Sequence, residues 1–241
     1  MKWRLIDTDL ADPYYVTAAD EIISQTNKDK KTLNTLHFYR RSPPGVSVGR
    51  SRIVDVDVDV CACHSNSVKI VRRASGGGTI FTDEGCLIYA LTLRDFDKTE
   101  YAPLKIFQKV CSVIINTLND FGIDAEYKSP NDVLVNKKKI SGSAQIKKGN
   151  TLLVHGTILI YTDLELMRRV LKNVNSEYVS TISDECDTMP SVSDVKEKLK
   201  HEFECAFNVS IEPSSFTFGE QKLINRLVDE KYGKDEWNFR R

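Results

Sequence analysis

The sequence predicts an α+β fold, with a largely antiparallel or mixed central sheet flanked by helices. Three observations carry this expectation. Segments of helical period and segments of strand period follow one another in mixed order: helix, strands, helix, more strands, then helices. No internal repeat, low-complexity tract or long linker divides the 241 residues, a length suited to one domain or one domain with a small appendage. Hydrophobic residues make up 41% of the chain, enough for an ordinary globular core.

The elements follow in order. Residues 13–27 mix apolar and polar positions at helical spacing, with Pro13 where a helix start tolerates it. Leu36, Phe38 and Tyr39 suggest a strand, Pro43-Pro44 a turn, and Val46-Ser47-Val48 a second strand. Val54 to Val60 alternates Val and Asp, so by period it is a strand; the all-Asp face also allows a loop leading into a helical turn. Val68–Val71 and Leu87–Leu93 read as strands around a glycine-rich turn. In residues 103–121, Leu104, Phe107, Cys111, Ile114, Leu118 and Phe121 recur at three- and four-residue steps, and Gly122 stands where a helix ends. Strand-like pieces follow at 132–136, 140–146 and 151–161, with Gly149-Asn150 as a hairpin turn. Helices are expected at 163–172, 191–207 and 218–231.

Composition excludes some roles. Lys+Arg and Asp+Glu both number 34, so there is no basic excess to neutralise a nucleic-acid backbone. No stretch approaches a membrane span, and the first residues lack the apolar run of a secretory leader. The six cysteines are scattered, which predicts a reducing, cytoplasmic setting; Cys111 and Cys205 read as small buried hydrophobes within helices. Cys61, Cys63 and His64 lack a second Cys/His pair at zinc spacing, so no zinc site is expected.

Three stretches carry chemistry. In Arg72-Arg73-Ala74-Ser75-Gly76-Gly77-Gly78-Thr79, three glycines between strands free the backbone to turn amide groups toward an anion, and the arginines add charge. Taken alone, the same run also reads as a flexible surface turn. Asn131 and Asp132 open a strand, where side-chain oxygens suit a hydrated Mg²⁺ bridging phosphates. The following Asn136-Lys137-Lys138-Lys139 reads by composition as an exposed hairpin turn. His155-Gly156-Thr157 lies in an apolar strand; the histidine alone reads as a satisfied core residue, and Gly156 marks a close backbone approach.

Together these stretches, correctly ordered and spaced over nearly the whole chain, resemble the lipoate-protein ligase A family. Its arginine pair, three glycines, aromatic and acidic residue stand as Arg72-Arg73, Gly76-Gly77-Gly78, Phe81 and Asp83. Its Asn-Asp and Lys-Ile-Ser-Gly-Ser-Ala stand as Asn131-Asp132 and Lys139 to Ala144. Its His-Gly-Thr stands as His155-Gly156-Thr157. The resemblance implies the fold of biotin and lipoate ligases, related to class II synthetases, with residues 1–241 as one catalytic domain without a C-terminal accessory domain. It implies ATP-dependent conversion of lipoate, with Mg²⁺, to lipoyl-AMP, and transfer to a lysine of a carrier: a lipoyl domain of a 2-oxoacid dehydrogenase or the glycine-cleavage H protein. Lys139 is then the catalytic cation. Arg72, Ser75, Gly76, Gly77, Gly78 and Thr79 hold the lipoyl and phosphate ends of the adenylate. Asn131 and Asp132 position phosphate and Mg²⁺, with Asp132 the metal ligand. Gly49, His155 and Gly156 line the lipoyl tunnel, and Phe81, Ser141 and Gly142 contribute to substrate or nucleotide binding. No nucleic-acid or membrane partner is implied; for adenylation the resemblance allows either a separately encoded accessory protein or the chain working alone.

The chain departs from the pattern at Thr82, usually His, and Cys86, usually Asn or Asp. The nearest rival is an octanoyltransferase that carries the acyl group on a cysteine just upstream of a Pro-Ser segment. Here that region reads Ala125-Glu126-Tyr127-Lys128-Ser129-Pro130, without cysteine, and Cys86 reads as a small apolar residue opening a buried strand. The glycine loop differs from the Gly-Arg-Gly-Arg type of biotin ligases. A non-catalytic lipoyl-carrier binding module is the remaining alternative, and retention of Lys139 argues against it.

Overall fold

The structure, a computed structural model, describes residues 1–94, 102–172 and 178–240. The chain begins with strand β1 (Lys2–Ala11), helix α1 (Pro13–Lys28), β2 (Thr35–Arg41) and β3 (Gly45–Val48). Two short helical turns, α2 (Val54–Asp57) and α3 (Val60–Ser65), lead to β4 (Lys69–Arg72), β5 (Ile80–Thr82) and β6 (Cys86–Arg94). Helix α4 (Pro103–Asn119) precedes the meander β7 (Ala125–Lys128), β8 (Asp132–Val135), β9 (Lys138–Lys148) and β10 (Thr151–Leu159). Then come α5 (Leu164–Val170), α6 (Ile182–Glu185), α7 (Val192–Phe207), β11 (Ser210–Ser214), α8 (Phe218–Leu227), a π-helical turn (Val228–Tyr232) and α9 (Asp235–Asn238).

Eight strands form one sheet in the order β11-β1-β2-β6-β10-β9-β8-β7, and three form a small second sheet, β4-β3-β5. In the large sheet β1 runs parallel to both its neighbours and every other pairing is antiparallel, as the mixed pattern predicts. Helices α4 and α7 cover one face. The apolar stripe of α4 meets Leu87, Tyr89 and Leu91 of β6, and Leu199 and Phe203 of α7 complete that core. Phe203 is fully buried, so Phe203→Ala would cost about 3–5 kcal/mol. Helix α1 lies on the opposite face, with Val16 against Tyr39, Ile88 and Leu153. Pro13 occupies its first turn and the Asp12 carboxylate accepts from the Tyr14 amide at 2.8 Å, a start the sequence anticipates. The buried Arg4 guanidinium donates to both Glu220 oxygens, at 3.0 and 2.5 Å, docking α8 behind β1.

Several sequence expectations are corrected. Val54–Val60 is not a strand but two helical turns joined through an extended Val58 that bridges Leu171, nearer the alternative of a loop leading into a helical turn. Val54 and Val58 are both buried, and an alternation of period two also contains this i, i+4 pair. Cys205 is exposed on α7 rather than buried, because Val195, Leu199 and Phe203 define the inward stripe. Leu104 is exposed in the first turn of α4, while Cys111, Ile114 and Leu118 are buried. Cys86 does open a buried strand. The hairpin turns fall at Asn136-Lys137, both at positive φ, and at Gly149-Asn150. Among the described residues, no helix is long and apolar enough to cross a membrane.

Candidate active site

Between α1, the face of β2-β6-β10-β9 and the glycine loop lies a cavity of about 470 Å³. Of the residues singled out in the sequence, Lys139, Ser75, Gly77, Gly78, Thr79, Asn131, Gly142, His155 and Gly156 line it. Gly49, Arg72, Gly76, Phe81, Asp132 and Ser141 stand behind these or beside them rather than in the wall.

Lys139 owes its place to β9. The β8–β9 pairing shifts register between Val133 and Leu134, so Val133 faces Ser141 while Leu134 faces Lys139, and the strand bulges there. The Ser180 amide donates to the Lys139 carbonyl at 3.0 Å, pinning the bulge from outside. The ammonium folds back over Gly142 and lies 2.6 Å from Asp132 Oδ1. A Cβ on Gly142 would stand 2.5 Å from both Cε and Nζ of Lys139, so only glycine leaves the lysine this path. The Asn131 side-chain amide donates to the Ser143 carbonyl, and the Ser143 amide to the Asn131 carbonyl at 3.0 Å. Asn131 and Asp132 are thereby fixed against the strand that carries Lys139.

The opposite wall is the glycine loop, and the two arginines before it have different tasks. Arg72 is buried and points away from the cavity. Its guanidinium donates to the carbonyls of Gly49, Arg50 and Arg52 at 3.1, 3.2 and 2.7 Å. It donates also to those of Asn238 and Arg240 at 3.2 and 2.9 Å. It braces the loop's foundation. Arg73 is the one that reaches the cavity, and it too is spent on carbonyls: Ser47 at 2.8 Å, Gly76 at 2.8 Å and Gly78 at 2.6 Å. Burial pushes its guanidinium down to about 10, and the nearby Arg41 adds repulsion. With the carbonyls of Gly76 and Gly78 turned onto Arg73, the amides of residues 76–78 find no protein acceptor among the described residues. Of the three glycines only Gly77 takes a positive φ, 91°. Its carbonyl approaches Gly49 so closely that a Cβ there would lie 2.1 Å away. Thr79 donates to Asp57 at 2.5 Å, and Arg52 holds that carboxylate below the usual range.

A buried polar chain runs beneath. Ser75 Oγ lies 2.7 Å from His155 Nε2, and His155 Nδ1 lies 3.5 Å from Asp20. Asp20 also meets His37 Nδ1 at 2.9 Å and accepts from Tyr39 Oη at 2.9 Å. Burial pushes the Asp20 carboxyl up, but the bonds and charge of His155 and His37 outweigh it and hold it at about 2. His155 lines the cavity with both ring nitrogens satisfied by Ser75 and Asp20. Gly156 serves both sides of β10: it borders the cavity, and its missing side chain admits Tyr89 Oη, which reaches Ser143 Oγ at 2.7 Å.

Sequence reasoning missed Asp20, Tyr39 and Arg41, and it offered Arg73 as charge for an anion where the structure bonds it to the carbonyls of Ser47, Gly76 and Gly78. The available signal was charge on otherwise apolar faces: Asp20 among Ala18, Ala19, Ile22 and Ile23, and His37 between Leu36 and Phe38. No cysteine lines the cavity among the described residues; Cys86 is fully buried, which pushes its thiol well above the ordinary range. No three metal-ligating side chains cluster among the described residues.

The profile of the lipoyl protein ligase A/B catalytic domain matches residues 12–204. Octanoyltransferase LipM of Halalkalibacterium halodurans is 23% identical over 99% of both chains. Lipoate-protein ligase A subunit 1 of Thermoplasma acidophilum is 26% identical over 85% of this chain and 84% of that protein. A crystal structure of lipoate-protein ligase A bound with ATP superposes with a TM-score of 0.89 at 25% identity, covering 99% of each chain. The bi-partite lipoate protein ligase of T. acidophilum, studied with its E2 lipoyl domain, gives 0.87 at 25% identity, over 99% of this chain and 96% of that one. The fold, the ordered sequence features and the family match agree, and the chain belongs to the lipoyl protein ligase A/B catalytic-domain family.

Proposed function

We propose that this chain is a lipoate-protein ligase, which activates a carboxylic acid of the lipoate type with ATP and passes the acyl group to a lysine of a lipoyl carrier domain. The observation that carries the reading is Lys139: a half-exposed ammonium over Gly142, facing a loop of unpaired amides across a cavity without cysteine. A substrate carboxylate oxygen bonds to the α-phosphorus of ATP, and pyrophosphate leaves. Lys139 stabilises the charge that develops on the oxygens around that centre, an electrostatic task. The amides of Gly76 to Gly78 cradle phosphate, with Thr79 in the wall beside them and Ser75 and His155 beside the acyl group. Gly49 and Arg72 act through the loop they support, and Phe81 and Ser141 through the strands they pack. In the second step the carrier lysine's amine bonds to the acyl carbon, loses a proton and expels AMP. Enclosure protects the mixed anhydride from water.

A magnesium ion bound with the nucleotide would supply Lewis-acid polarisation of the phosphate. Such an ion needs few protein ligands beyond substrate phosphates, and Asp132, fixed beside Asn131, suits that place. Residues 1–241 act as one catalytic domain in the cytoplasm. The carriers are lipoyl domains of 2-oxoacid dehydrogenases or the glycine-cleavage H protein. Adenylation by the chain alone is the first form of the reading; adenylation with a separate accessory subunit is the second, supported by the bi-partite relative.

The second reading, octanoyl transfer from a thioester, is favoured by the relatives named octanoyltransferase. The chain alone, given lipoate, ATP and Mg²⁺, is expected to release pyrophosphate, and given synthetic lipoyl-AMP, to load a lipoyl domain. Loading from lipoyl-AMP alone would assign adenylation to a partner. Loading only from octanoyl thioester without ATP would replace the ligase reading with the transferase.

A further inference from the structure

On the β2 side of the cavity stands a buried guanidinium that has no carboxylate partner among the described residues. Lys139 stands on β9 and Arg41 on β2, three inter-strand steps away across β10 and β6, or about 14 Å. Both line the same cavity. Arg41 is only 3% exposed. Its terminal nitrogens donate to two neutral hydroxyls, Thr82 Oγ1 and Thr17 Oγ1, each at 3.1 Å, and its Nε has no partner. Those hydroxyls give their own protons to the carbonyls of Gly45 and Pro13. Among the described residues no carboxylate forms an ion pair with it. Asp20, the buried acid on this side of the cavity, is occupied by His37, Tyr39 and His155. Arg73, the second buried guanidinium of the cavity, is bound to carbonyls and is repelled by Arg41.

A buried cation matched only by neutral acceptors is costly, and an arriving anion removes that cost. An alkyl terminus can pack on Ile88 and Leu153 of the same lining but leaves the cost of the unmatched cation in place. We propose that the acyl substrate carries a second oxyanion at its far end, as in a medium-chain α,ω-dicarboxylic acid, with Arg41 as the residue that selects it. This rests on the ligase reading for the chemistry at the first carboxylate. Lipoate remains a substrate, used less well than the diacid.

The test is equilibrium binding of hexanedioate, octanedioate, decanedioate, octanoate and lipoate to the full chain, with adenylation of each acid measured separately. The best diacid is expected to bind about 10- to 100-fold more tightly than octanoate, the effect of one charge-assisted pair. In Arg41→Met that advantage disappears or reverses, while octanoate binding holds or improves. Should Arg41→Met fail to fold by its thermal melt, Arg41→Gln and Arg41→Lys decide: the neutral variant loses the preference and the charged one retains part of it. Octanoate bound as tightly as every diacid by the wild type would overturn the proposal, as would a preference unchanged in the neutral variant. Diacid preference without adenylation of any acid would leave the proposal standing and count against the ligase reading; adenylation of lipoate and octanoate without diacid preference would do the reverse.

Discussion

The two walls of the cavity are held by different means. The β9–β10 wall belongs to an antiparallel ladder bonded on both sides, so Lys139 and His155 are positioned by backbone register. The glycine loop belongs to a three-stranded sheet with little ladder to spare, and its shape depends on two buried guanidiniums wrapped in carbonyls. One wall is set by strands and the other by buried side chains bonded to the loop's own carbonyls. Substitutions in the ladder wall should therefore change rate at constant stability, and those beneath the loop should change both together.

The largest effect is expected beneath the loop. Arg72→Met strands the carbonyls of residues 49, 50, 52, 238 and 240 and should cost about 4 kcal/mol. A fall of about 10 °C in Tm, with activity lost in parallel, is the expected readout; an unchanged Tm would break the comparison. Lys139→Ala should lower the adenylation or transfer rate by about 10²- to 10³-fold with Tm unmoved, read by single-turnover kinetics and a thermal melt. Gly142→Ala sharpens the point, since it alters no charge. Its methyl displaces the ammonium and should cost about 10- to 100-fold in kcat, recovered in none by added substrate.

The smallest effect concerns pH. The folded Asp20 carboxyl sits at about 2, below the ordinary unfolded value, so its contribution is complete above that value and is lost as pH falls toward 2. That contribution is roughly 2 kcal/mol. Denaturant unfolding between pH 5 and pH 2 should show wild type losing this margin over Asp20→Asn; parallel curves for the two proteins would contradict the assignment.

The sequence made the ladder wall legible and the loop wall only in part. Strong periodicity marked α1, α4 and α7, and turn residues marked the β9–β10 hairpin. Strand β1 was hidden because its burial follows no two-residue alternation: Trp3 and Arg4 are both buried in succession. Strand β11 was hidden because it is a five-residue edge element with one buried side chain. The valine alternation of residues 54–60 misled because the same spacing serves a helical turn. At the site, the order Arg72-Arg73 could not reveal that the first arginine would brace the loop and the second underlie it. That division depends on where residues 238–240 return, a long-range contact with no local signature. Asp20, Tyr39 and Arg41 were similarly invisible, since their meeting requires the crossing of α1 over β2.

In the proposed ligase, the ion pair between Lys139 and Asp132 would give the cation that acts on the phosphate a resting place, and the steps that follow rest on that proposal. An ammonium already matched at 2.6 Å does not sample solvent freely between turnovers. An incoming anion exchanges one carboxylate for another instead of capturing a mobile charge, so little ordering entropy remains to be lost at that step. When the spent nucleotide departs, Asp132 takes the lysine back, and the same pair that readies the site also resets it.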